Sequence, residues 1–102
     1  MSMSADVTLD LREGFEADAL VLRAVGMADI VLDGVTTKLQ IGRARSLPLP
    51  GTIAMLDVEL PRRGVTGHIE LRPERPLWVG VSLSRDGRRL EVIQQAEPFG
   101  YV

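Results

Sequence analysis

The chain has 102 residues, fewer than the roughly 150 typical of one domain, and is read as a single domain over residues 1–102. It has no cysteine, which excludes disulfide frameworks, thiolate metal sites and cysteine nucleophiles. With 45% hydrophobic and 25% charged residues and a formal net charge of −2, it has the composition of a globular chain and not of a disordered one.

Apolar residues recur with a period of two, and no window longer than about ten residues has the spacing of a surface helix. Val7, Leu9 and Leu11 alternate with Thr8, Asp10 and Arg12, a half-buried strand that Glu13-Gly14 ends. Ala19 to Val25 is apolar almost throughout, which predicts a strand covered on both faces and closed by Gly26. Ile30 to Leu32 makes a short third strand, and Asp33-Gly34 after it predicts a tight turn. Lys38 to Ile41 is a candidate fourth. Arg45 to Leu49 is extended, because Pro48 and Pro50 keep the residues before them out of the α region, and its prolines place it at a sheet edge.

After the Pro50-Gly51 turn, Thr52 to Leu60 sets Ala54, Leu56, Val58 and Leu60 inward and Asp57 and Glu59 outward. Pro61 to Gly64 is a four-residue hairpin loop. Val65, Gly67, Ile69 and Leu71 then face in, with Thr66, His68, Glu70 and Arg72 outside, and Pro73 to Pro76 leads into Leu77, Val79, Val81 and Leu83. A two-residue Asp86-Gly87 turn pairs Arg85 with Arg88, Leu83 with Leu90 and Val81 with Val92, putting both apolar pairs on one face. The tail from Ala96 to Val102 folds back on the sheet. Seven or eight short strands, with turn signals about every 8–12 residues, predict an all-β antiparallel sandwich, with a small closed barrel as the alternative.

Three constellations carry chemistry. Counting outward from the 61–64 loop pairs Asp57 with His68, the only histidine, as in the first two members of a catalytic triad, with Thr66 as the hydroxyl on the same face. A cross-strand charge pair on a solvated face explains that arrangement without activity, so no catalytic residue is assigned. One histidine and no cysteine cannot close a zinc or iron shell, Asp29 to Gly34 lacks the alternating carboxylates of a calcium loop, and the glycines lack a Walker A lysine; no metal or cofactor is expected.

The basic side holds eleven arginines and one lysine, a bias explained most simply by the nucleotide composition of the gene. Residues 1–34 carry seven acids and two arginines, while residues 35–102 carry seven acids and ten bases. Alternating strand directions gather Arg62, Arg63, Arg85, Arg88 and Arg89 at one end, with Arg43 and Arg45 entering from it. These seven are the candidate binding residues for a phosphate, another small anion or an acidic protein surface. The net negative charge, the isoelectric point near 5.3 and the absence of interleaved aromatics weigh against nucleic acid. The third constellation is Trp78, facing outward beside Gly80 with Ile93 opposite. With Phe99 and Tyr101 it forms a candidate interface, to be covered by the chain's own tail, a second copy or a flat sugar ring.

The strand count, the opening Val-Thr-Leu-Asp-Leu-Arg-Glu-Gly-Phe of residues 7–15 and the run Pro50-Gly-Thr-Ile-Ala-Met-Leu-Asp-Val-Glu-Leu-Pro61 resemble the small transthyretin-like (prealbumin-like) sandwiches over most of the chain. Among those, the hydroxyisourate hydrolases use more than one histidine and close with a Tyr-Arg-Gly-Ser-type tail. Here His68 stands alone and the tail is Pro98-Phe-Gly-Tyr-Val102, so the resemblance implies the fold and not that activity. The expected protein is a non-catalytic sandwich that binds a protein partner or itself through an open sheet edge or the Trp78 face. An anion- or ligand-binding module at the arginine end is the alternative, and a hydrolase on Asp57 and His68 comes third. Met1 to Val7 shows no basic, apolar leader and no stretch approaches about 18 apolar residues, so the expected location is cytoplasmic, with no membrane partner.

Overall fold

The computed structural model describes residues 6–37 and 45–100. Eight strands, β1 (Val7–Leu11), β2 (Asp18–Arg23), β3 (Ile30–Val35), β4 (Arg45–Leu49), β5 (Met55–Leu60), β6 (Val65–Glu70), β7 (Leu77–Leu83) and β8 (Leu90–Gln95), form two four-stranded sheets. Sheet A has the order β4-β1-β7-β8 and sheet B the order β3-β2-β5-β6, the layers of a β-sandwich and not of a closed barrel. All pairs are antiparallel except β1 with β7, which runs parallel and makes sheet A mixed. The strand expected at Lys38 to Ile41 lies outside the described residues. Among the described residues no helix is long and apolar enough to cross a membrane.

Alternation decides what the layers bury. Val7, Leu9 and Leu11 of β1 and Leu77, Val79 and Val81 of β7 form the inner rows of sheet A, against Leu20 and Leu22 of β2 and Leu56, Val58 and Leu60 of β5. Each fully buried aliphatic side chain contributes about 1.5–3 kcal/mol, and Phe15, on the crossing from β1 to β2, closes the same core. Between β4 and β5 the chain changes sheets, as it does again between β6 and β7. At that end Arg75 ties both crossings together, donating to the carbonyls of Gly51, Ile53, Arg72 and Glu74.

Several expectations need correction. β2 is covered on one face only: Leu20 and Leu22 are buried while Arg23 is exposed, because sheet B has nothing packed on its outer side among the described residues. Asp33-Gly34 does not end β3. The strand runs on to Val35, and the pairing of β2 with β3 slips between Asp18 and Leu20, so Gly34 at φ 67° sits in a β-bulge. β5 begins at Met55; ahead of it Ile53 is buried and Ala54 exposed, reversing the expected parity.

The β7–β8 register pairs Leu83 with Leu90 and Val81 with Val92, as alternation requires. Its loop is nevertheless wider than two residues. Ser84 N donates to Arg89 O and Gly87 N to Ser84 O, while the Asp86 carboxylate receives the Ser84 hydroxyl and Arg88 N. Val92 stays 39% exposed because β8 is the edge of sheet A.

That edge is not open. Since Ser84 and Arg89 form a hydrogen-bonded pair, antiparallel alternation turns the backbone groups of Leu90, Val92 and Gln94 away from β7. Arg72 Nη1 donates to Gln94 O, and the Gln94 side chain bridges Arg72 N and Glu70 O beyond the end of β6. One side of the sandwich is thereby stitched shut. On the other side Pro48 removes a donor from β4, and the bulge bends β3.

Candidate functional site

The sandwich presents three places where side chains converge. At the first, the β5–β6 turn meets the β7–β8 loop, and Arg63 runs so close over Gly87 that a Cβ there would lie 2.8 Å from Nη1. Arg85 lines the same cleft of about 530 Å³, and Arg88, Arg89 and the first residue of β4, Arg45, belong to loops and strand ends of that side. Arg43 lies outside the described residues. The guanidiniums do not stand alone: Arg62 pairs with Asp33 at 3.0 Å and Arg63 with Asp18 at 2.6 Å. Hydrogen bonding to Asp18 raises the Arg63 pKa above its ordinary value. The cleft is lined by Glu13, Glu16, Asp86 and Glu91 against Arg63 and Arg85, so its carboxylates outnumber its guanidiniums and disfavour an anion.

The second place is the outer face of sheet A. Phe99 returns over Gly80, where an added Cβ would lie 2.9 Å from its Cζ and 2.7 Å from Arg12 Cδ. Only a glycine leaves room for both. The Arg12 guanidinium lies over the ring, 4.5 Å from its centroid. Gln95 holds the tail in place by donating to the carbonyls of Glu97 and Pro98, and Asp10, opposite Gly80 across β1 and β7, is buried and accepts the Ser46 hydroxyl at 2.6 Å. Of the four candidate interface residues, Phe99 and Trp78 are half-buried, Ile93 is exposed opposite Gly80, and Tyr101 lies outside the described residues.

The third is the outer face of sheet B. Asp57 and His68 are paired across β5 and β6, with Nδ1 and Oδ1 2.6 Å apart. Both side chains are well exposed, and among the described residues no hydroxyl bonds to the imidazole; Thr66 lies in the next row, opposite Glu59. The pair can orient a ring but has no nucleophile in hand. Sequence reasoning missed its continuation. Arg23 lies opposite Asp57, and its guanidinium bonds Glu59 at 3.0 Å and Asp29 at 3.1 Å, which raises its pKa, Glu59 first. Asp29, Arg23, Asp57 and His68 therefore form one row across the sheet, with Asp29 one residue ahead of β3. Each half lies within one hairpin, Arg23 with Asp29 on β2–β3 and Asp57 with His68 on β5–β6; the pairing of β2 with β5 that joins them links segments far apart in the chain, where counting does not reach.

Flanking this row, Val31 is 71% and Met55 48% exposed. Among the described residues no three His, Asp or Glu side chains are grouped to hold a metal ion. Comparison of the chain with protein-family models, with curated proteins and with solved structures finds no match.

Proposed function

We propose that the protein is a non-catalytic interaction module of transthyretin-like build, docking other protein surfaces through the outer face of sheet B. The observation that carries this reading is the exposure of Val31 and Met55 on the outer side of a four-stranded sheet on which no described residue packs. Large aliphatic side chains on a sheet exterior lose contact with water when a second surface covers them, and the polar row beside them supplies register. Two expected routes are weaker. The described edges are blunted by Pro48, a bulge and the Arg72–Gln94 bridge, and the Trp78 face is already partly filled by Phe99.

The test compares the parent with a Val31→Lys, Met55→Lys variant. Tagged protein is used to capture partners from cells of the source, and each captured partner is purified and titrated against both proteins; self-association is followed by sedimentation. A partner or self-complex formed by the parent and lost in the variant is expected. A parent that neither self-associates at millimolar concentration nor binds any purified partner more tightly than the variant overturns the reading.

A further inference from the structure

We propose that the surface which fits the outer face of sheet B is the same face of a second copy of this chain, related by a two-fold axis parallel to the strands and midway between β2 and β5. This rests on the reading of that face as a docking surface and adds the identity of the partner.

The argument is one of symmetry. Arg23, Asp57 and His68 lie at one level on β2, β5 and β6, and Asp29, the residue before β3, extends the row on the β3 side through its pair with Arg23. Rotation about the stated axis keeps that level and reverses the strand order, so β3 of one copy meets β6 of the other and β2 meets β5. Arg23 then faces the other copy's Asp57, and Asp29 faces its His68, each contact occurring twice. A row of alternating acid and base with an even number of members is complementary to itself under this operation. The same charges in the order acid-base-base-acid or base-acid-acid-base would set like against like.

The atoms needed for the new contacts are unspent. Arg23 uses Nε and Nη1 for Asp29 and Glu59, leaving Nη2 without a bond among the described residues. Asp57 uses Oδ1 for His68 and Asp29 uses Oδ2 for Arg23, so each keeps its second oxygen. Apolar burial follows the same rotation. Met55 lies two residues before Asp57 and Val25 two beyond Arg23, so each is carried toward the other, and both are exposed in the isolated chain.

Size sets the expected strength. Four strands about 4.8 Å apart and six residues at about 3.4 Å each make a face roughly 19 by 20 Å, about 400 Å² a side and about half the size of a standard stable interface. A weak, concentration-dependent dimer follows.

The experiment is charge reversal read by sedimentation and light scattering, with circular dichroism to confirm folding. The parent dimerises as concentration rises. Arg23→Asp and Asp57→Arg each place like charges opposite one another twice and each lower the association constant by roughly tenfold or more. Mixing the two single variants restores a dimer containing one of each, and the doubly reversed Arg23→Asp, Asp57→Arg chain dimerises with itself. A parent that stays monomeric overturns the proposal. So do single variants that dimerise as the parent does, a result that leaves an interaction module working through another face. Single variants that are folded and monomeric but do not pair on mixing overturn the two-fold arrangement.

Discussion

Arg63 leaves the β5–β6 turn, crosses to β2 and sets Nε and Nη2 on the two oxygens of Asp18, at 2.6 and 3.2 Å. The Asp18 side chain is only 5% exposed, against 31% for Arg63, and its Oδ2 also receives Glu16 N. Removing the guanidinium by Arg63→Ala leaves a nearly buried carboxylate with one backbone donor. Breaking a fully buried pair costs about 3–5 kcal/mol, and the partial exposure of Arg63 lowers the expectation to about 2 kcal/mol. Arg62→Ala, which breaks the exposed pair with Asp33, is expected to cost less than about 0.5 kcal/mol. Urea unfolding of both variants checks this, and equal losses would contradict it.

The Asp86 carboxylate has its pKa lowered, first by the Ser84 hydroxyl and then by Arg88 N. A carboxyl group whose folded pKa lies below its unfolded one stabilises the fold fully above the ordinary value of 3.8, and loses that contribution as pH falls through the lowered value. Asp86→Asn is therefore expected to melt below the parent at neutral pH, with the gap closing as the pH drops below the ordinary carboxylate range. Melting curves of the two proteins across that range decide it; a gap that widens on acidification would show that the carboxylate is not the anchor of this loop.

What the sequence made legible follows the distance between partners along the chain. The β5–β6 and β7–β8 registers lie within single hairpins and could be counted, the latter even though its loop is wider than expected, because residues 85–88 and 86–87 share one centre. The parallel pairing of β1 with β7 and the partition into two sheets depend on contacts between distant segments, which alternation does not encode. Asp33-Gly34 misled because a bulge and a hairpin turn ask for the same positive φ. The charge asymmetry between the first 34 residues and the rest acquires a meaning only in three dimensions: Asp18 and Asp33 of the acidic part hold Arg63 and Arg62 of the basic part.

Gly80 and Phe99 should behave as a pair. Gly80→Ala drives a methyl group into the Phe99 ring and the Arg12 stem, an overpacking expected to cost about 1–3 kcal/mol unless the tail lifts away. In a Phe99→Ala background one of those two obstacles is gone, and the same substitution should cost measurably less. A double-mutant cycle of unfolding free energies gives the coupling. Faster proteolysis of the tail in Gly80→Ala alone would identify lifting as the relaxation, whereas strict additivity would mean that Phe99 does not occupy its seat on Gly80 in solution.

At the opposite end of the sandwich from Arg63, a single arginine holds both sheet crossings. Arg75 Nε donates to Gly51 O, Nη2 to Ile53 O, and Nη1 to the carbonyls of Arg72 and Glu74, so one planar fork satisfies acceptors from the β4–β5 and β6–β7 connections at once. A lysine keeps the charge but offers one ammonium that cannot reach four carbonyls set around a plane. Arg75→Lys is therefore expected to lose nearly as much stability as Arg75→Ala, about 1–3 kcal/mol in either case. If charge alone mattered, the lysine variant would unfold with the parent. Hydrogen exchange offers a second reading, because Ile53 N and Leu71 N bond to carbonyls inside these crossings and should lose protection together in both variants, while β7 and β8 keep theirs.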